Sequence, residues 1–315
     1  MPDSHTGECF GFHRFMGGTI LLLIAVEWPL AKIVRLEGFG QLRDCGLGIA
    51  LLLAIIMYCQ WRKYHRLREA AIMALWMATL TVVLNVLIQI CARTPAPMID
   101  LSLARADAVM HVSALSAMDW ARQSRLLQAI FTLAYGCLPL MMLLAVMVPT
   151  LLGRFRQAQQ YVLAVTIGAL LTGAIFALWP AAGPWVVYGY RPATNQATAQ
   201  AFLLALKSQQ PIAMNMDIAA IVSFPSFHVV LALLSAAALW PYRKFRLVLI
   251  VLSAVIAVST ITTGWHYIVD VLGGFAVAAA AYPLADYVLK RVVTPNAVSS
   301  ARAALALQEM ATPGA

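Results

Sequence analysis

The sequence predicts an all-α polytopic membrane protein with about eight transmembrane helices. Hydrophobic residues make up 62% of its 315 residues and charged residues 11%, and the mean hydropathy is +0.80. Soluble domains carry roughly 25% charged residues, and a soluble fold of this composition would leave large apolar surfaces in water. The composition therefore excludes an ordinary soluble protein.

Eight apolar runs have about the length of 20 residues that a helix needs to cross the bilayer. They lie near Phe15–Val34, Asp44–Trp61, Ala70–Cys91, Leu127–Leu152, Tyr161–Trp179, Phe224–Trp240, Leu247–Thr263 and Tyr267–Leu289. We interpret the first run as a retained span, because no small-residue cleavage site follows it.

Basic residues follow the second, fourth, sixth and eighth runs, so all four clusters share one side of the membrane. The clusters are Arg62, Lys63, Arg66 and Arg68; Arg154 and Arg156; Arg243, Lys244 and Arg246; Lys290 and Arg291. The positive-inside rule places these loops and both termini in the cytoplasm. We expect a bacterial inner membrane, with the functional residues on the periplasmic face. The net charge of +9 follows from these clusters, and no nucleic-acid partner is expected.

Two connections on the opposite side are long enough to hold structure. The segment Asp100–Arg125 has apolar residues at helical spacing, which predicts an amphipathic helix on the outer surface. The charged residues in and beside it are expected to form a solvated face: Arg93, Asp100, Asp107 and Asp119. The segment Pro180–Ser223 is rich in Pro and Gly, and it is either a flexible connector or a cover over a site.

One polar motif opens the sixth run from the outside. Pro225 suits the start of a helix, and Ser226 can cap exposed backbone N–H groups there. A helix start attracts anions, so His228 would stand beside an anion site. Taken alone, however, a His at this position is more often an ordinary interfacial residue.

A second motif opens the eighth run on the same outer face. His266 and Asp270 are four residues apart, so they share one helix face and can form a hydrogen bond. The carboxylate would fix the imidazole tautomer and leave the other nitrogen free to attack. A structural His–Asp pair that locks the helix end is equally compatible with this motif alone. Together with His228, the residues are suited to nucleophilic displacement at phosphorus.

Pro225-Ser226-x-His228 followed by His266-x-x-x-Asp270 resembles the second and third motifs of the type 2 phosphatidic acid phosphatase superfamily. The resemblance implies a six-helix phosphatase-type core, over roughly Ala70 to Lys290, that acts on a phospholipid head group or another lipid phosphate without a cofactor. It implies that His266 is the nucleophile that forms a phosphohistidine, that Asp270 orients it, and that His228 protonates the leaving alcohol. Ser226 and Arg191 would hold the phosphate.

The sequence departs from the family pattern at two cationic positions. Arg191-Pro192 matches the end of the first motif, but its Lys position holds Pro184. In the third motif Ser259 matches, while the Arg position holds Thr260. The second motif also has Phe227 at its usual Gly. For Arg191 itself, an interfacial position beside tyrosines is a comparable interpretation.

Fewer cations favour a phosphodiester, which carries one charge, over a monoester, which carries up to two. The Phe-Pro-Ser-x-His and His-Tyr-x-x-Asp patterns also resemble the branch that contains inositol phosphorylceramide and sphingomyelin synthases. Members of that branch transfer a head group between lipids.

Two alternatives stay open from the sequence. Two His and one carboxylate could bind iron or zinc, although no metal is expected. The chain could also be a lipid transporter or structural membrane protein that retains the motifs without catalysis. Residues 1–69 would form a two-span extension, 70–290 the catalytic core and 291–315 a disordered cytoplasmic tail. Glu27 lies inside the first span without a sequence partner, which makes it a candidate for mutation.

Overall fold

The computed structural model describes residues 4–38, 42–216 and 221–293, and the described chain is predominantly helical. Its α-helices are α1 (Ser4–Ile33), α2 (Leu42–Trp61), α3 (His65–Ala92), α4 (Asp100–Val109), α5 (Ala114–Arg122), α6 (Arg125–Gly136), α7 (Leu138–Leu151), α8 (Phe155–Leu178), α9 (Trp185–Tyr188), α10 (Thr194–Lys207), α11 (Phe227–Leu239), α12 (Arg246–Thr262) and α13 (Ile268–Val288). A 3₁₀ turn precedes α12 at Arg243–Phe245, and a π turn follows α13 at Leu289–Val293. The strands β1 (Leu36–Glu37) and β2 (Ile212–Ala213) pair in parallel. The predicted tail lies outside the described residues from position 294 onward.

Five helical segments in the described chain are long and apolar enough to cross a membrane. They are Cys9–Ile33, His65–Ala92, Phe155–Leu178, Arg243–Thr262 and Ile268–Arg291. A sixth span results if α6 and α7, which are bent by 41° at their junction, cross as one. These segments confirm the all-α, polytopic prediction.

The remaining two of the eight predicted spans correspond to shorter apolar helices, Gly46–Trp61 and α11. An α-helix rises about 1.5 Å per residue, so the 13 residues of α11 fall short of the hydrocarbon thickness. The sequence pattern overestimated this span because the apolar run begins at Phe224, before the backbone becomes helical. Eight crossings therefore require both short helices and the bent pair to be counted.

The bundle is centred on α8, which packs against α3, α7, α11 and α13. On α8, Tyr161, Val162 and Ala164 are fully buried. Close packing also brings α13 against the start of α11, because a Cβ on Gly274 would stand only 2.6 Å from the Ser226 carbonyl oxygen. A glycine is needed at this point of contact between the two helices that carry the candidate site.

The first helix packs on the bundle. Phe12 and Met16 are fully buried in the main core cluster. The Trp76 indole N–H donates to Nδ1 of His13 at 3.0 Å, and Nε2 of His13 lies 3.1 Å from the Glu69 carboxylate. α1 therefore shares its core with the helices that follow.

Candidate active site

The two predicted motifs meet at one end of the bundle. The backbone N–H of Ser226, which precedes α11, donates to the carbonyl oxygen of Asp270 in the first turn of α13 at 3.0 Å. Since Gly274 allows the helices to approach, this bond fixes one motif directly against the other. Residues more than forty positions apart in the sequence thus form one site.

His266 has a defined tautomer in this arrangement. Its Nδ1 lies 2.8 Å from the carbonyl oxygen of Ser223 and 3.3 Å from Oδ2 of Asp270. A carbonyl oxygen can only accept a hydrogen bond, so Nδ1 carries the proton and Nε2 keeps its lone pair. The predicted contact with Asp270 is present, but His266 precedes α13, so the pair lies across the helix start instead of on one helical face.

Burial keeps the His266 ring neutral. The residue is 3% exposed, and removal from water lowers the pKa of His266 to about 4, against a smaller opposing effect of the Ser223 carbonyl. The uncharged imidazole, with Nε2 unprotonated, is the form that a nucleophile requires.

Asp270 is fully buried, and one of its carboxylate oxygens has several hydrogen-bond partners. Oδ2 accepts from the Ser223 hydroxyl at 2.9 Å and from the Tyr267 backbone N–H at 2.9 Å, besides its contact with His266. Oδ1 is buried and has no hydrogen-bond partner among the described residues. These bonds hold the carboxylate in one orientation beside the imidazole.

His228 lies in the first turn of α11, with its ring centroid 6.3 Å from that of His266. Its other neighbour is Tyr135 of α6, which stacks on the imidazole with centroids 4.3 Å apart and planes 24° apart. Tyr135 did not emerge from the sequence, because a single tyrosine in an apolar helix far from both motifs gives no signal.

Two predicted phosphate-binding residues have different positions. The Ser226 hydroxyl is buried beside the two histidine motifs, and its oxygen has no hydrogen-bond partner among the described residues. Arg191 is exposed, and the hydrogen bonds and ion pairs found in the described chain do not include it. The structure therefore brings together His266, Asp270, His228 and Ser226, but it does not bring the Arg191 side chain into contact with them.

The residues that replace the Lys and Arg of the family motifs, Pro184 and Thr260, have structural roles. Thr260 is fully buried, its hydroxyl donates to the Ala257 carbonyl at 2.7 Å, and its own carbonyl accepts from the N–H groups of Trp265 and His266. Pro184 is the N-cap residue of the short helix α9. Neither position supplies positive charge to the site.

The prediction that Arg93, Asp100, Asp107 and Asp119 form a solvated outer face is wrong for three of these four charged residues. Arg93, Asp100 and Asp107 are buried, whereas Asp119 is exposed beside Arg122. The segment Asp100–Arg125 also forms two helices, α4 and α5, instead of one. The sequence pattern failed here because the buried charges bond to backbone groups from distant parts of the chain.

The two buried acids of α4 hold the backbone around the site. The Asp107 carboxylate accepts from the N–H groups of Ile268 and Val269 at 3.0 and 2.9 Å, which caps the start of α13. Asp100 accepts from the N–H groups of Ala182 and Gly183. Burial raises the pKa of both carboxyls, and these hydrogen bonds oppose the rise.

The described part of the segment Pro180–Ser223 covers the loop that carries His266. The Tyr190 hydroxyl donates to the Gly264 carbonyl at 2.8 Å, and the Gln196 amide donates to the Thr263 and Gly264 carbonyls at 3.1 and 3.0 Å. Of the two interpretations left open by the sequence, these contacts favour the cover.

In the described part of the chain, no group of three or more His, Cys, Asp or Glu side chains is arranged to hold a metal ion. The Asp270 carboxylate contacts Nδ1 of His266. The His228 ring lies with its edge toward the His266 ring, at 6.3 Å between centroids. The arrangement is suited to one free nucleophilic nitrogen with a second titratable ring beside it.

Comparison with known proteins identifies the family. The model of the PAP2 (type 2 phosphatidic acid phosphatase) superfamily matches residues 101–284. No curated protein and no solved structure matches the chain. The matched segment is more than half of the chain and contains both histidine motifs, so the chain belongs to the PAP2 superfamily.

Proposed function

We propose that the protein is a membrane-embedded lipid phosphatase or phosphotransferase that acts on a phospholipid head group through a phosphohistidine at His266. Membership of the PAP2 superfamily supports chemistry on phosphate esters. The observation that carries the proposal is the His266 ring, whose Nδ1 proton is held by the Ser223 carbonyl so that Nε2 is available beside His228.

In the first step, Nε2 of His266 attacks phosphorus and the bond from phosphorus to the leaving alcohol breaks. His228 donates a proton to the leaving oxygen, and Asp270 stabilises the positive charge that develops on the His266 ring. In the second step, water or a lipid alcohol attacks the phosphohistidine, His228 takes the proton of that nucleophile, and the P–N bond breaks. Both imidazoles then return to their starting states.

The phosphate would be bound by groups at the start of α11. The Ser226 hydroxyl, buried and without a partner among the described residues, would donate to a phosphate oxygen. The helix start adds a favourable dipole for an anion. Arg191 is the proposed cation, and its exposed side chain would have to turn toward the site when substrate binds.

We propose as substrate a phospholipid diester, as in the inositol phosphorylceramide synthase-like branch, or a lipid phosphate that is bound with fewer cationic contacts. Thr260 and Pro184 occupy the positions of two phosphate-binding cations, and a diester with one negative charge loses less from their absence. We further propose that residues 70–290 form the catalytic unit and that its site faces the periplasm, with both termini in the cytoplasm.

The test is a panel of lipids labelled in the head group, incubated with the purified protein in lipid nanodiscs. Free phosphate, released head group and new lipid products are followed for the wild type, His266→Ala and His228→Ala. The matched control is His65→Ala, because His65 is exposed at the N-terminus of α3. We expect the two site variants to lose turnover and the control to keep it.

Four outcomes would contradict parts of the proposal. Turnover that survives His266→Ala would exclude the phosphohistidine, and turnover that is lost in excess chelator would indicate a metal hydrolase. Rapid dephosphorylation of phosphatidic acid without any reaction of a diester would exclude the proposed substrate class. Lipid movement across the nanodisc without chemical conversion would favour a transporter.

A further inference from the structure

A cavity of about 480 Å³ lies between α1 and α3, away from the histidine motifs. Its volume is within the range of small-molecule pockets, about 300–1,000 Å³. The α1 side is formed by Ile24, Glu27, Trp28 and Ala31, and the α3 side by valines that include Val83. Glu27 is the one ionisable side chain among these lining residues.

Glu27 is buried, and no hydrogen bond to its Oε1 from the described part of the chain compensates for the loss of hydration. The residue is 5% exposed, and its Oε1 has no hydrogen-bond partner among the described residues. The nearest cation along α1, Lys32, places its ammonium over the Trp28 ring at 4.9 Å from the ring centroid. An unpaired carboxylate is costly in hydrocarbon, so a carboxyl at this position is expected to carry its proton and to need a polar partner.

The cavity is accessible from the lipid. Ile24 and Trp28, which line it, are 44% and 49% exposed, and their neighbours Leu21 and Leu22 are more exposed still. These residues belong to the segment Cys9–Ile33, which is able to cross the membrane. An occupant would therefore enter sideways from the hydrocarbon layer and not from water.

We propose that this cavity binds a lipid alcohol, with its alkyl chain along the valines of α3 and its hydroxyl group bonded to Glu27. A hydroxyl group can accept from the protonated carboxyl and donate to Oε1, which satisfies both partners without burying a charge. A lipid amine would bring an ion into the hydrocarbon, and a plain alkyl chain would leave Oε1 unsatisfied. The site is separate from the proposed phosphoryl chemistry and uses neither histidine.

The first measurement is labelling with dicyclohexylcarbodiimide, which partitions into the bilayer and adds to protonated carboxyls. The full-length protein in nanodiscs is treated, digested and examined by mass spectrometry. We expect labelling at Glu27 and none at Glu37 or Asp119, which are exposed to water and serve as internal controls. Glu27→Gln removes the reactive group and is the negative control.

The second measurement is protection by 1-dodecanol, with dodecane as the matched probe that lacks the hydroxyl group. We expect dodecanol to slow labelling of Glu27 at least about fivefold more than dodecane does, because either of the two hydrogen bonds alone would supply that ratio. Dodecanol should also raise the unfolding temperature of the wild type and have less effect on Glu27→Leu.

Failure here is distinguishable from failure of the proposed catalysis, because no step depends on turnover. Absence of labelling at Glu27 in the folded protein would contradict the claim that its carboxyl is protonated and accessible from the lipid. Equal protection by dodecanol and dodecane would contradict the proposed hydrogen bonds to the hydroxyl group. Protection that increases with protein concentration would identify a second copy of the chain as the occupant and would also overturn the proposal.

Discussion

The His266 imidazole has one nitrogen engaged and one available. The Ser223 carbonyl lies 2.8 Å from Nδ1 and the Asp270 carboxylate 3.3 Å, so the closer neutral oxygen decides the tautomer and the carboxylate adds stabilisation once the ring is charged. This division is compatible with the proposal that a fully buried Asp270 assists His266 as nucleophile, although most of the bonds of the carboxylate are made to Ser223 and Tyr267.

The pH dependence of turnover tests the buried state of His266. Burial lowers its pKa to about 4 from an ordinary value of 6.5, so the neutral, nucleophilic form persists as the pH falls from 7 to 5 and is lost only near 4. We expect the acid limb of kcat/KM to lie well below pH 6.5 in the wild type. An acid limb at the ordinary histidine value, with the fold intact by circular dichroism, would contradict the burial argument.

Tyr135 is expected to position His228 through its ring. Burial lowers the pKa of the His228 imidazole, and stacking at 4.3 Å opposes this by favouring the protonated ring, the proposed acid, by about 1 kcal/mol for an aromatic–cation contact. Tyr135→Leu should lower kcat about fivefold to tenfold and shift the pH profile, whereas Tyr135→Phe should remain close to wild type. Equal losses in both variants would instead assign the effect to the hydroxyl group.

Part of the site could be predicted from local spacing alone. The four-residue interval between His266 and Asp270 correctly predicts their contact, because it is decided within one turn of chain. The Ser223 carbonyl and the Tyr135 ring could not be predicted, because tertiary packing brings them to the site and no motif marks them.

At the scale of elements, α4 anchors the start of α13. The carboxylate of Asp107 takes two N–H groups that an isolated helix start would leave to water, and the covering segment Pro180–Ser223 is held in a similar way by Asp100. The amphipathic pattern predicted a helix but not that its acids are buried, because buried backbone N–H groups need an acceptor and these carboxylates supply it.

Removing the Asp107 cap should destabilise the site. Asp107→Ala is expected to cost about 1–2 kcal/mol of unfolding free energy, the usual range for a lost helix cap, and to lower turnover because Asp270 lies in the same turn. Asp119→Ala, on the neighbouring helix but exposed, is the matched control and should be nearly neutral. Thermal unfolding in nanodiscs measures the stability of both variants. Equal losses of stability in Asp107→Ala and Asp119→Ala would contradict the capping role.

The predicted spans agree with the structure where a single long helix forms, and they differ from it where a helix is bent or short. Apolar runs predicted α3 and α8 well, because composition and length decide whether such a segment crosses the bilayer. They could not reveal the 41° bend between α6 and α7 or the late start of α11, which depend on packing around the site.

For the whole molecule, the four basic clusters and the histidine motifs lie at opposite ends of the bundle. The site lies at the starts of α11 and α13, whereas the basic clusters lie at their far ends and are linked there. Arg66 donates to the Leu151 carbonyl, and Arg156 pairs with Asp286. This separation supports the proposed orientation, with the basic end in the cytoplasm and the histidines on the other face.

The most direct test of the central proposal is to trap the covalent intermediate. The protein is mixed with a lipid labelled in its phosphate and quenched in alkali, because phosphohistidine withstands alkali and is lost in acid. Mass spectrometry should locate the labelled group on His266, and the adduct should be absent in His266→Ala. A labelled group on any other residue, or turnover by His266→Ala at the wild-type rate, would contradict the account.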